Sequence, residues 1–259
     1  MNWFEAIVLG LIQGLTEFLP VSSSGHLEIA KAFFGINPEE SFYFTIAVHG
    51  ATVLSTLAVF RKEIGQLFAG LFKFRLNEET NYVIRLLISM IPVGIAGILL
   101  KDPIEALFNG NVVFVGMMLI VTALLLAIAH FVRKRERPVG YWDAIIIGIA
   151  QAVAVIPGIS RSGATISTGL IIGNSKNEIA GFSFLMVLIP VIGANLLEIF
   201  SGEAVTGNVG AGIILTGFVT AFISGYIACR WMIALVKKSK LVWFSIYCLA
   251  IGILSVIFG

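Results

Sequence analysis

The sequence predicts an all-α polytopic membrane protein, with six transmembrane helices and two re-entrant helix hairpins arranged as an inverted-topology repeat. Three observations predict it. Of the 259 residues, 58% are hydrophobic and only 12% charged, against roughly 45–50% and about 25% in soluble domains. Mean hydropathy is +0.98, more apolar surface than a soluble globule of this size can hide. Two stretches of the chain also repeat each other at a constant offset of 138 residues. This composition excludes a soluble enzyme, a disordered chain and a nucleic-acid binder. The net charge of +2 decides little, because the placement of charge matters more than its sum.

The apolar runs define the elements in order. Those at 42–60, 83–100, 112–132, 180–200, 209–236 and 241–258 approach the roughly 20 helical residues that cross a bilayer core. None alternates as barrel strands do. The remaining runs are too short. Residues 142–156 and 163–172 would extend roughly 22 Å and 15 Å at 1.5 Å per residue. Between them lies Pro157-Gly158-Ile159-Ser160-Arg161-Ser162-Gly163. Near the start, 3–19 is followed by Pro20-Val21-Ser22-Ser23-Ser24-Gly25 and a short segment to about Gly35. Two short helices around a Pro/Ser/Gly break read as a re-entrant hairpin. Glu5, Gln13 and Glu17 interrupt the first run and no basic segment precedes it, so it reads as mature chain rather than a signal peptide.

The hairpins match in sequence. Residues 5–13 align with 143–151, and Ser22, Ser24 and Gly25 align with Ser160, Ser162 and Gly163. The first repeat is therefore 1–137, with hairpin 3–35, and the second 138–259, with hairpin 142–172; each adds three spans. Three is odd, so the second repeat sits upside down, a design that gathers sites where broken helices meet. Arg61, Lys62, Lys73, Arg75, Arg133, Lys134, Arg135, Arg137, Lys176, Lys237, Lys238 and Lys240 then fall on one side. Only Lys31 and Lys101 fall on the other, which makes the rich side cytoplasmic and puts both termini outside. Cys229 and Cys248 sit in apolar runs and read as buried hydrophobes.

Ionisable groups at membrane depth are costly and mark function. Here they are Glu17, His26 and Arg161. Gln13 and Glu17 share a helix face. Pro20 ends that helix, and Ser22, Ser23 and Ser24 offer caps for the next, with His26 in its first turn. Pro157 ends the corresponding helix, Ser160 caps its successor, and Arg161 and Thr165 share a face. Both hairpins thus aim a hydroxyl-lined helix N-terminus inward, which suits an anion. An arginine fork suits a phosphate or diphosphate. A carboxylate beside that anion calls for a divalent cation, Mg²⁺ or Ca²⁺, bridging Glu17 to phosphate oxygens. A histidine adds a nucleophile or general acid/base. The reading is phosphoryl transfer on an amphiphile entering from the lipid. His130 reads as interfacial, His49 as a supporting group behind the site, and Glu198 as snorkelling outward.

Gln13-Gly-Leu-Thr-Glu-Phe-Leu-Pro-Val-Ser-Ser-Ser-Gly-His26 and Pro157-Gly-Ile-Ser-Arg-Ser-Gly-Ala-Thr165 resemble the two signature motifs of bacterial undecaprenyl-diphosphate phosphatases, the bacitracin-resistance family. The resemblance extends over the whole chain in length, span order and motifs. It implies a plasma-membrane enzyme, opening to the outer face, that hydrolyses undecaprenyl diphosphate to the monophosphate with a divalent cation and so recycles the lipid carrier for cell-wall precursors. It implies catalytic roles for Glu17, Ser23, His26 and Arg161. Ser22, Ser24, Ser160, Arg161, Ser162 and Thr165 would bind phosphate, and Glu17, alone or with Gln13, the metal. Gln13 stands where many members carry a glutamate, which puts a two-carboxylate metal site in question: Glu17 then holds the cation alone with water and phosphate, or instead orients His26. His26, Ser23 and water stay open as nucleophile, and a homodimer stays open beside a single copy. The competing class is a lipid-phosphate flippase, since inverted repeats with broken helices also build secondary transporters.

Overall fold

The computed structural model describes residues 1–36, 41–107, 110–132, 136–193, 209–238 and 240–259. The expectations for Arg133, Lys134, Arg135 and Glu198 lie outside these residues. The described residues are almost wholly helical, and the only bridge among them pairs Arg137 with Asn174. The order is α1 (Trp3–Phe18), α2 (Ser23–Phe34), α3 (Phe42–Val59), α4 (Arg61–Leu71), α5 (Glu78–Leu99), α6 (Lys101–Glu105), α7 (Val112–Phe131), α8 (Tyr141–Val153), α9 (Arg161–Ile171), α10 (Lys176–Met186), α11 (Ala211–Lys237) and α12 (Val242–Phe258).

Five stretches are long and apolar enough to cross a membrane: α3, α5, α7, Lys176–Gly193 (α10 and its continuation) and α11. Helix α12, with 17 residues, reaches about 25 Å. The outward faces are apolar, and all four tryptophans are exposed near helix ends: Trp3, Trp142, Trp231 and Trp243. Such an exterior suits lipid, with aromatic rings at the headgroup level. The protein is an all-α polytopic membrane protein.

Local chemistry explains where the short helices start and stop. Asn2 and Glu5 form a reciprocal capping box at α1, which satisfies orphan N–H groups. Helix α1 stops at Phe18, with Leu19 extended, because a residue before proline avoids the helical region. Ser22 caps α2 through the Gly25 N–H, and Gly35 closes it in the left-handed region at φ 65°. Helix α9 begins the same way, with Ser160 Oγ accepting from Gly163 N at 3.1 Å.

Close packing depends on glycine. Helix α1 lies along α11 and α8 along α5. A β-carbon on Gly10 would come within 2.6 Å of the Gly217 carbonyl, and one on Gly148 would collide with the Ser89 carbonyl. These two glycines are 138 residues apart. Small residues allow this approach in lipid, where van der Waals contact drives helix association.

Residues 61–71, to which the apolar runs assign no element, form α4. Its apolar face is interrupted by Arg61, Lys62 and Glu63, so no spanning run exists to signal it.

Candidate active site

The two Pro/Ser/Gly breaks meet. Ser162 Oγ donates to the Leu19 carbonyl at 3.1 Å. A β-carbon on Gly25 would sit 3.1 Å from the Gly158 Cα. Thr122 of α7 braces the second break, donating to the Gly158 carbonyl at 3.1 Å and accepting from Ser160 N at 2.9 Å. Gly158 has φ 93°, and a β-carbon there would lie 2.5 Å from the Val115 carbonyl, so the position requires glycine for both conformation and space.

Glu17 and Arg161 pair across this junction, Arg161 Nη2 donating to Glu17 Oε1. Their side chains are only 10% and 27% exposed, and each charge offsets the cost of burying the other. The other carboxylate oxygen, Oε2, accepts from Ser23 Oγ at 2.7 Å and from Gln13 Nε2 at 3.0 Å. Gln13 Nε2 also reaches Thr52 Oγ1 at 3.5 Å. Glu17, Ser23, Gln13 and Arg161 therefore form one connected cluster, built from α1, α2 and α9.

A cleft opens on this cluster between α1, α3, α9 and α10. Glu17, Arg161, Thr52 and Ser183 give it a polar end, and Val53, Val187, Leu188 and Val191 an apolar wall. His49 of α3 donates through Nδ1 to the Thr45 carbonyl at 2.9 Å and lies close enough to couple electrostatically with both Glu17 and Arg161.

The remaining predicted residues are placed differently. Thr165 is fully buried, and its hydroxyl bonds Ser183 Oγ at 2.6 Å and the Arg161 carbonyl at 2.8 Å. It thus links α9 to α10. Ser22 and Ser160 serve as caps, and each has its neighbouring hydroxyl, Ser24 or Ser162, at 3.4 Å. His26 turns to α12: Nδ1 contacts the Ser22 carbonyl at 2.8 Å and Nε2 the Tyr247 hydroxyl at 2.9 Å. Its orienting partners are Ser22 and Tyr247 rather than Glu17.

The donor set fits a hard cation. Besides Glu17 it offers the hydroxyls of Ser23 and Thr52 and the Gln13 amide oxygen, which is buried without a hydrogen-bond partner. These are oxygen ligands of the kind Mg²⁺ and Ca²⁺ take, and a phosphate substrate supplies the rest. Among the described residues, no group of three His, Cys, Asp or Glu side chains gathers into a metal cage.

The family described as Bacitracin resistance protein BacA matches residues 6–254. The chain belongs to this family. The BacA relatives are alike in length as well as sequence. A protein of Bacteroides fragilis named undecaprenyl-diphosphatase is 53% identical, covering 99% of this chain and 98% of its own. One of Christiangramia forsetii with the same name is 54% identical over 100% and 99%. Undecaprenyl-diphosphatase 1 of Shouchella clausii is 36% identical over 100% and 97%.

Within this BacA-family site, sequence reasoning missed Thr52, Ser183 and Tyr247. Thr52 carried a faint signal: it shares a helix face with His49 and Thr56, a polar stripe in an otherwise apolar span. Ser183 and Tyr247 reach the site only through folding.

Proposed function

We propose that this protein is an integral-membrane hydrolase that converts undecaprenyl diphosphate to undecaprenyl phosphate and inorganic phosphate. Membership of the BacA family, with relatives named undecaprenyl-diphosphatase, carries the reading. The cluster at the two helix breaks supports it chemically. Its polar end suits the diphosphate and its apolar wall the prenyl chain. Flippase activity is not favoured, since the relatives are named for hydrolysis.

In this reading Arg161 exchanges Glu17 for the terminal phosphate and holds the charge that develops as phosphorus transfers. The N-terminal amides of α2 and α9 add fixed partial charge of the same sign. Glu17, once released, accepts the proton of Ser23 or of a water. His26 acts from the α12 side as nucleophile or proton carrier. A divalent cation, when bound by Glu17, Gln13 and Ser23, supplies Lewis-acid stabilisation of phosphate charge. The deciding measurement is phosphate release from purified protein in detergent, where transport has no meaning. Release is expected, and its absence from intact, folded protein would overturn the hydrolase reading.

The membrane arrangement belongs to the same proposal. Helices α1 with α2 and α8 with α9 are re-entrant hairpins, and the halves 1–137 and 138–259 are inverted repeats. The exchanged packing of α1 on α11 and α8 on α5 supports this, as do Gly10 and Gly148 at equivalent contacts. The site then opens outward from the plasma membrane. In a background lacking Cys229 and Cys248, single cysteines near Asn2 and Gly259 should both label with an impermeant thiol reagent in intact cells. One near Lys238 should stay unlabelled. Opposite labelling of the two ends would require an odd number of crossings and end the inverted-repeat reading.

A further inference from the structure

His26 is the one proposed reacting group whose ring lies outside the Glu17–Arg161 cluster, and its surroundings explain why. Ser22 has φ 69° and ψ 98°, a strained conformation for a residue with a side chain. It turns the Ser22 carbonyl to meet His26 twice: the backbone N–H at 3.1 Å and Nδ1 at 2.8 Å. A carbonyl oxygen has no proton to give, so Nδ1 must carry the hydrogen. In the neutral ring that leaves the lone pair on Nε2. The Tyr247 hydroxyl lies 2.9 Å from Nε2 and therefore donates to it. The two rings also stack, with centroids 5.6 Å apart and an interplanar angle of 11°. One flank of α12 is in turn tied to the first break, where Cys248 Sγ donates to the Pro20 carbonyl at 3.5 Å.

From this geometry we infer that Tyr247 is a positioning residue for His26: together with the Ser22 carbonyl it holds the imidazole in the Nδ1–H tautomer and reserves Nε2 as the working nitrogen. The inference rests on the proposed part of His26 in the reaction. Nδ1 is committed to a buried carbonyl and would have to give up that bond to act. Nε2 has only to exchange a hydroxyl for the substrate or a water. Tyrosine suits this task because its hydroxyl donates to a neutral Nε2 and accepts from a protonated one, so the ring stays placed whichever proton state it passes through. A third of the way around the helix, Cys248 faces the break, so α12 sets both the loop and the ring that hangs from it.

Tyr247→Phe keeps the stack and removes the hydroxyl. With a short prenyl diphosphate in detergent, turnover should fall about tenfold, the value of one lost hydrogen bond at a reacting group, with KM within about twofold. Nitrogen-15 spectra of protein labelled at histidine give the readout that a merely structural role would not move. In the wild type the His26 signals, assigned by their loss in His26→Gln, should show a protonated Nδ1 and a bare Nε2. In Tyr247→Phe the Ser22 carbonyl still keeps the hydrogen on Nδ1, and the Nε2 signal should move as its hydrogen bond is lost. Wild-type turnover and an unmoved Nε2 signal in Tyr247→Phe would overturn the inference. Wild-type turnover in His26→Gln would instead overturn the underlying reading of His26. If Tyr247→Phe does not fold, 3-fluorotyrosine at 247, a stronger donor of the same shape, must displace the Nε2 signal; an unmoved signal would overturn the inference equally.

Discussion

Glu17→Gln is expected to lower phosphate release at least about a hundredfold while leaving the protein folded, because it keeps the size of the side chain and removes its charge. The structure shows why the folded state needs checking independently. Glu17 neutralises Arg161, and removing one member of a buried pair costs about 3–5 kcal/mol when the other is left uncompensated. Partial access of Arg161 to the cleft lessens that cost. A second variant, Glu17→Gln combined with Arg161→Gln, removes both charges. It should regain the thermal stability lost by the single variant and remain inactive. Turnover near wild type in Glu17→Gln would remove Glu17 from the reaction. Restored activity in the double variant would reduce the pair to a structural one.

Gln13→Glu is the companion to that test. Gln13 has no exposed surface, donates to Glu17 and leaves its amide oxygen free. A glutamate there would place a second carboxylate beside the first, where like charges repel unless a cation separates them. Activity should survive, and dependence on added Mg²⁺ or Ca²⁺ should tighten. An unchanged metal requirement would mean that position 13 does not face the cation.

How much of this was legible follows from how local each feature is. The breaks at Pro20 and Pro157, the Ser22 and Ser160 caps and the place of His26 in the first turn of α2 are written within a few neighbouring residues, and local hydrogen bonds enforce them. That Arg161 needs an anionic partner was legible one step further out, with Glu17 and the substrate phosphates as the candidates. Glu17 and Arg161 are both ionisable groups in segments too short to span, so each needs a partner, and few partners exist at that depth. The direction of a hydroxyl was not legible. Thr165 shares a face with Arg161, but a helical threonine rotates to the nearest acceptor, and Ser183 of α10 stands 2.6 Å away. Tyr247 was invisible because it lies 221 residues from His26 in an apolar run where a lone tyrosine looks like lipid-facing bulk. Helix α4 was missed for the opposite reason: its charges hide a helix that does not need to span.

Arg161 carries the second large expected effect. Left unpaired at membrane depth it would cost about 2.5–3.5 kcal/mol, and the pair with Glu17 offsets that cost. Lysine at 161 keeps the charge and the pair, so Arg161→Lys should insert and fold. It loses the planar fork that can grip two phosphate oxygens while charge develops on them. Turnover should therefore fall by about a hundredfold, the value of removing one preorganised donor from a developing oxyanion, and Arg161→Ala should be nearly inactive. The loss should appear in turnover more than in substrate binding. In the proposed reading affinity comes mostly from the prenyl chain against Val53, Val187, Leu188 and Val191, which line the cleft, whereas the fork matters most in the transition state. Kinetics in detergent with a short and a longer prenyl diphosphate separate the two: chain length should move KM in wild type and Arg161→Lys alike, and the substitution should move kcat for both substrates by the same factor. Equal kcat for Arg161→Lys and wild type would make the guanidinium a structural partner of Glu17, and the charge on the transferring phosphoryl group would then have to be met by the helix N-termini of α2 and α9 alone.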